Sequence, residues 1–346
     1  MYMTEKYNNN RGKSSLRSIL ISVVALGSVV SMPLADAQQS PMSISKVNAF
    51  ELRVGDPAKT VAFYQDMFGM PVVARVGNMI SMQIGEGPQF MQVRSVMPGE
   101  TPGISWLGYS VENFNLQEQQ AKLQSLGFRV IDAPAKSVPG IEVAMSTWVS
   151  MRGNTPELFF ADERGLIVHL GDTSYCGGSG PLGNVCNAEP APQGMFSLND
   201  INHFTVFLND GAAANKWYQD TFGLSVQAYQ GPGAPVTGIG DGYQFVMYAG
   251  GPSPDSVPAN IHHGSLNLNA FDVEAIQAML EDYGFTLQGD RPLGPMMHYI
   301  SLRQPERGGA PGGTPELYFT DPDGIRMQLQ DPTYCGGGGY LGNECL

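Results

Sequence analysis

The chain has little cysteine, histidine or positive charge. Its 346 residues hold four Cys, five His and 19 Lys+Arg against 32 Asp+Glu, for a formal net charge of −13. Such a surface repels phosphate backbones and anionic lipid, so neither nucleic acid nor a membrane is an expected partner. The apolar run "ILISVVALGSVV" (19–30) falls well short of the roughly 20 residues that a membrane helix needs. There is no G-x-S-x-G. The Gly-rich stretches near 177 and 336 lack both the Lys of a phosphate loop and a following helix. The many Met residues, among them Met67, Met70, Met79, Met82 and Met91, read as adaptable core filling.

What is present begins with a leader. Lys6, Arg11, Lys13 and Arg17 precede the apolar run, and "ADA" (35–37) offers the small residues of a cleavage site. Residues 1–37 therefore read as a Sec-type signal peptide without a twin-Arg pair; an uncleaved anchor is the rival reading. Gln38 stands where a lipoprotein would carry Cys. An exported protein, periplasmic or secreted, is expected. Its mature form is more acidic still and has no membrane attachment.

Oxidising surroundings give the cysteines meaning. Cys176 and Cys186 frame "YCGGSGPLGNVC", and Cys335 and Cys345 frame "YCGGGGYLGNEC". Two local disulfides are the simplest pairing, each closing a short loop worth roughly 3 kcal/mol of chain entropy. A zinc site is the competing reading. It lacks C-x2-C spacing and any His inside either loop.

These loops belong to a tandem repeat. Residues 155–186 and 314–345 align without gaps at more than half of their positions. "FYQDMFGM" (63–70) answers "WYQDTFGL" (217–224), and "LQSLGFRV" (123–130) answers "LEDYGFTL" (280–287). The spacing predicts a first domain over 38–186, a Pro-bearing linker over 187–198 and a second domain over 199–346. Within each copy the pattern of strand, helix and strands runs through twice. "AFELRV" alternates as a strand, Asp56 and Pro57 can open a helix that Gly69 ends, and a helix over about 115–126 stops at Gly127. Strands near 142–150, 157–160 and 166–170 complete the first copy. The helix after Asp272 aligns Ile276, Met279, Leu280 and Tyr283 on one stripe. An α+β fold of two βαβββ units per domain follows.

The second copy joins "NHFTVFLND" (202–210) to "WYQDTFGL" and closes on "YFTDPDGIRMQLQ" (318–330). This combination resembles the vicinal oxygen chelate superfamily, which includes glyoxalase I, extradiol dioxygenases and bleomycin-resistance proteins. The resemblance covers both halves. It implies that each domain curls into a cup-shaped sheet, with a divalent metal on the floor. Ligands there come from the first strand of each unit and from the last strand. His203 falls at the first-strand position. Gln328, four residues after Gly324, falls at the last-strand position, where a neutral amide lacks the Coulombic pull of a carboxylate. The remaining family His maps to Ser265. His263 lies two residues earlier, nearly 7 Å away along a regular strand at about 3.3 Å per residue, so it qualifies only if the strand slips or bulges. His262 then faces away.

Tyr318, ten residues before Gln328, sits where extradiol enzymes carry a Tyr that reaches bound substrate; a packed strand aromatic is the plainer reading. His298 shares a face with Ile300 and Leu302, as a core His or a nearby acid or base. In copy one, Ala49 replaces His203, Phe159 matches Tyr318 and Trp106 is aligned with Ser265; His169 stands at the position of Gln328. His169 is a structural residue, or it joins His203 and Gln328 across an internal pseudo-dimer.

The resemblance thus points to a metal-dependent enzyme on a small substrate with vicinal oxygens: a lyase, isomerase or ring-cleaving dioxygenase using Zn, Mn, Ni or Fe. Gln328 and an oxidising compartment disfavour Fe(II). A non-catalytic sequestering protein without metal is the alternative, and a purely structural exported protein is a third.

Overall fold

A computed structural model describes residues 42–346 apart from 137 and 252–257. The leader expected over 1–37 lies outside the described residues.

The first half runs β1 (Ile44–Val54), α1 (Pro57–Phe68), β2 (Val72–Val76), β3 (Met79–Gln83), β4 (Phe90–Ser95), β5 (Gly103–Val111), α2 (Leu116–Ser125), β6 (Arg129–Val130), β7 (Ser146–Arg152), β8 (Thr155–Ala161) and β9 (Ile167–Asp172). The second half repeats it as β10 (Leu198–Phe207), α3 (Gly211–Phe222), β11 (Val226–Tyr229), β12 (Pro235–Gly238), β13 (Phe245–Ala249), β14 (Asn260–Leu268), α4 (Val273–Tyr283), β15 (Thr286–Leu287), β16 (Met297–Arg303), β17 (Thr314–Thr320) and β18 (Arg326–Gln330). Local chemistry opens and closes the helices as expected. The Asp56 carboxylate accepts the N–H groups of Ala58 and Lys59, and Gly69 ends α1 at φ 65°. Asp272 caps α4 in the same way and Gly284 ends it. The strand expected from 142 begins only at Ser146, because residues 141–143 form a short 3-10 turn.

Each half forms one nine-stranded mixed sheet, in the orders β2-β3-β4-β1-β5-β9-β8-β7-β6 and β11-β12-β13-β10-β14-β18-β17-β16-β15. The antiparallel pairs β1–β5 and β10–β14 join the two βαβββ units of each sheet. Alternation divides every strand between two faces. Phe204 and Val206 point into the core, while His203, Thr205 and Phe207 line the concave side.

The convex sides pack together as an internal pseudo-dimer with one continuous apolar core. Phe50 meets Phe204 edge to face at 5.3 Å. The helices reach across: Phe63 and Phe68 of α1 contact Phe319 of β17, and Trp217 and Phe222 of α3 contact Phe128 and Phe160 of the first half. Two glutamines stitch the backbones at the centre. Gln89 accepts from Ile201 N and donates to Val47 O, while Gln244 accepts from Val47 N and donates to Ile201 O. Gly85 and Gly240, both at positive φ, let each half approach the other's backbone. A Cβ there would stand 1.8 Å from Asn199 O and 2.0 Å from Ser45 O. The linker is pinned rather than free: Asn187 and Glu189 donate to Val73 O and Val72 O, and Phe196 to Met67 O. Both cysteine pairs, Cys176–Cys186 and Cys335–Cys345, lie at bonding distance. Among the described residues no helix is long and apolar enough to cross a membrane.

Asp321 follows β17 in the buried seam. Its Oδ1 accepts from Asp323 N and Ile325 N, but Oδ2 and the nearby Tyr64 hydroxyl are buried without partners. Burial raises the Asp321 carboxyl to about 7, against the lowering pull of those N–H groups. A raised carboxyl gives stability that is full below its unfolded value near 3.9 and is lost as pH rises through 7. Asp321→Asn is therefore expected to raise the thermal midpoint by an increment that grows from pH 4 to pH 7 and then levels off. Calorimetry of both proteins across that range checks it.

Candidate functional site

The concave face of the second sheet encloses a cavity of about 250 Å³, and the strand register decides what faces it. Between the pairs Ile201–Leu266 and Phe204–Gly264, three steps on β10 match two on β14; between Thr205–His263 and Val206–Ile261, one step matches two. These bulges flank the histidines and re-aim them. The His203 and His263 rings meet with Nε2 atoms 3.3 Å apart, both residues buried. The 7 Å offset expected for His263 is thus closed by irregular pairing, and Gln328, beside Ser265 in the β14–β18 register, lies within hydrogen-bond reach of both rings.

The tautomers follow from the outer partners. Asn202 donates its Nδ2 to Tyr334 O, which leaves Asn202 Oδ1 to accept from His203 Nδ1 at 2.6 Å. Arg326 Nη1 donates to His262 Nδ1 at 3.2 Å, so that nitrogen is an acceptor, and His263 Nδ1, 2.8 Å away, donates to it. His262 therefore does not face away as expected: the bulge turns it toward His263, stacked on Phe207. Both Nδ1 atoms carry protons. The two Nε2 lone pairs confront one another, an arrangement that a shared cation stabilises. Burial lowers His203 to about 3, and burial together with the neighbouring His203, His262 and Arg326 holds His263 well below its ordinary value, so both rings are neutral at ordinary pH, the form that binds metals. Among the described residues no three His, Cys, Asp or Glu side chains form a metal cradle. The third side chain of the trio, Gln328, is a carboxamide.

Tyr318 borders this trio, edge-on to the His263 ring and stacked on Tyr299 at 4.8 Å. Its hydroxyl donates to Glu316 Oε2, and burial pushes the phenol well above its ordinary value. Glu316 Oε1 accepts from Arg303 Nε at 2.9 Å and from the Tyr334 hydroxyl at 3.1 Å, while Arg303 Nη2 donates to Gly337 O. The disulfide loop that follows Tyr334 is thereby anchored to the cup floor. Sequence reasoning missed Glu316, Arg303, Tyr334 and the acceptor role of His262. The signal for two of them was there: Glu and Tyr recur as "TPEL" and "YCGG" in both copies. The first half builds the same triad from Arg152, Glu157 and Tyr175.

Two expected site residues lie elsewhere. His298 does not face the cavity. Strand alternation sends it to the helix side of β16, fully buried and 3.4 Å from Glu281 of α4, while Tyr299 and Ser301 face the cup. His169 does not join His203. Its ring contacts are Trp106, Phe159 and Tyr175, all of the first half. Register also corrects the alignment of Trp106: His169 pairs with Gly108 as Gln328 pairs with Ser265, so Trp106 occupies the place of His263. With Ala49 in place of His203, the indole, Trp148 and Phe159 fill the first cup with an apolar cluster.

A family model described as the Glyoxalase/Bleomycin resistance protein/Dioxygenase superfamily matches residues 46–140 and 200–329. No curated protein matches the sequence. Among solved structures, the 2,3-dioxygenase LapB from Pseudomonas sp. KL28 aligns with a TM-score of 0.57 and 14% identity, covering 84% of this chain and 93% of its own. Homoprotocatechuate 2,3-dioxygenase from Arthrobacter globiformis gives 0.53 and 18%, covering 84% and 81%. The Mn(II)-bound glyoxalase from Novosphingobium aromaticivorans gives 0.53 and 14%, covering 83% and 82%. Identities this low establish a shared fold.

Burial also lowers His169 to about 3. A depressed imidazole leaves stability untouched above its unfolded value near 6.5 and costs stability as pH falls toward 3, because the unfolded chain binds the proton first. His169→Gln should lose less stability on acidification than the parent, by on the order of 2 kcal/mol between pH 6.5 and 4.5, as read by denaturant titrations at both pH values.

Proposed function

Because the chain belongs to the glyoxalase, bleomycin resistance protein and dioxygenase superfamily, we propose that its second half is an exported, divalent-metal-dependent enzyme acting on a small molecule with vicinal oxygens. The observation that carries this reading is the approach of the His203 and His263 Nε2 atoms to 3.3 Å, with each Nδ1 held by an outer partner that favours the proton there. His203, His263 and Gln328 would hold the ion, leaving positions on the cavity side for two substrate oxygens. A bound divalent metal supplies Lewis acidity to those oxygens. Tyr318, kept protonated by burial, donates its one O–H to Glu316 Oε2 and would meet negative charge on those oxygens only by turning that proton toward the cavity. Neutral Gln328 favours chemistry without a change of metal oxidation state, as in an isomerase or lyase, over ring cleavage. The basic leader and two local disulfides support export. The first half, its cup filled, serves as packing partner.

Metal analysis after loading with Zn(II), Mn(II), Ni(II) or Fe(II) tests this. One equivalent is expected in the parent and in His169→Gln, and none in His203→Ala, with circular dichroism confirming that each variant folds. Gln328→Glu is expected to tighten binding at least tenfold, since a carboxylate adds charge to the same position. Parent protein that takes up none of the four metals would leave the cup as a site for sequestration without chemistry.

A further inference from the structure

We infer that Asn202 is the positioning residue that presents His203 to a metal ion, and that the Cys335–Cys345 loop holds it in place, a role that rests on the metal reading above.

Neighbouring side chains on a regular strand point to opposite faces. The register shift between Ile201–Leu266 and Phe204–Gly264 relaxes that rule, and Asn202, fully buried, reaches the ring beside it. Its two ends take different partners. Nδ2 donates to Tyr334 O at 2.8 Å, and Oδ1 accepts from His203 Nδ1 at 2.6 Å. A backbone carbonyl only accepts. It therefore fixes which end of the amide faces the imidazole, and the amide fixes which nitrogen carries the proton. Reversing the amide would set two acceptors, Asn202 Oδ1 and Tyr334 O, against each other. Nε2 keeps its lone pair, 3.3 Å from His263 Nε2.

Tyr334 immediately precedes Cys335. The loop that follows is clamped from several strands: Cys335 O accepts from Gln227 Nε2, Gly337 O from Arg303 Nη2 and Gly339 O from Thr314 Oγ1. Inside it, Cys335 N donates to Gly342 O, Gly338 and Glu344 exchange backbone bonds, and the disulfide closes the ends. Gly336 packs beneath Phe245, where a Cβ would stand 3.1 Å from Phe245 Cζ. Phe245 in turn stacks on the His203 ring at 4.3 Å. The loop thus supports His203 twice, through the Asn202 amide and through Phe245.

The first half is an internal control. A register shift also falls at Asn48, between Val47–Tyr109 and Ala49–Gly108, and Asn48 Nδ2 donates to Tyr175 O at 2.7 Å. Ala49 offers no ring, and Asn48 Oδ1 is buried without a partner. The donor end of the amide serves the architecture of both halves. The acceptor end has a partner only where a histidine follows.

Titration of the parent, Asn202→Leu, Asn202→Ala and Asn48→Leu with Zn(II), Mn(II), Ni(II) and Fe(II) tests this, beside proton–nitrogen correlation spectra of the metal-free imidazoles and circular dichroism to confirm folding. Both Asn202 variants are expected to bind the parent's preferred metal about ten- to a hundredfold more weakly. Their His203 ring is expected to shift from the Nδ1-protonated toward the Nε2-protonated form. Asn48→Leu, which cuts the same loop bond in the other half, is expected to keep the parental affinity and tautomer. The double variant Cys335→Ser/Cys345→Ser is expected to weaken metal binding, and Cys176→Ser/Cys186→Ser to leave it unchanged. A His203 tautomer unchanged in both Asn202 variants, or an equal loss of affinity in Asn48→Leu, overturns the role of Asn202. Equal effects of the two cysteine double variants overturn the role of the loop. Parent protein that binds none of the four metals overturns the metal reading alone, because the tautomer is read on the metal-free chain.

Discussion

The second half depends on how β10 pairs with β14. That antiparallel ladder joins its two βαβββ units, and all nine strands of the sheet extend from it. Regular pairing would hold His203 and His263 too far apart to share an ion. The ladder breaks register on both sides of them, and the unequal residue counts bring their Nε2 atoms to 3.3 Å. The same irregularity turns His262 inward, where it accepts the proton of His263. Sheet closure and site geometry are consequences of one local departure from regularity.

Duplication left two copies of one scaffold with opposite fillings. Both retain the Arg–Glu–Tyr triad and the disulfide loop beyond it, Arg152–Glu157–Tyr175 in one and Arg303–Glu316–Tyr334 in the other. This triad therefore belongs to the architecture. What distinguishes the halves stands above it. Ala49, Trp106 and Phe159 pack into an apolar plug in the first, and His203, His263 and Tyr318 surround a cavity in the second. The donor of the Tyr318 hydroxyl bond to Glu316 has no equivalent in the first half, where Phe159 lacks the oxygen.

The repeat, the helix caps and the strand alternation were legible because each rests on chemistry within a few residues: Asp56 before Pro57, Gly69 after Phe68, Phe204 and Val206 opposite His203. His203 and Gln328 were legible from fixed offsets to "WYQD" and "DPDG". The place of His263 was not, since the two compensating register shifts around it have no reliable mark in "ANIHHG". Glu316, Arg303 and Tyr334 escaped notice because they meet only when three separated segments fold together. His298 could have been excluded by counting alternate positions from Tyr299, which faces the cup. The shared-site role for His169 fails because the halves join by their convex faces, which turns the two cups away from each other.

The crossing of α1 and α3 between the halves bears on evolution. Each helix covers its neighbour's sheet, through Phe63 and Phe68 in one direction and Trp217 and Phe222 in the other. A gene encoding either copy alone would yield a polypeptide with an uncovered sheet, obliged to find a mate. The pinned connection makes that mate a built-in one at high effective concentration. Selection on the plugged copy is thus selection for a lifelong companion, and its side chains can drift only so far as the mutual embrace permits.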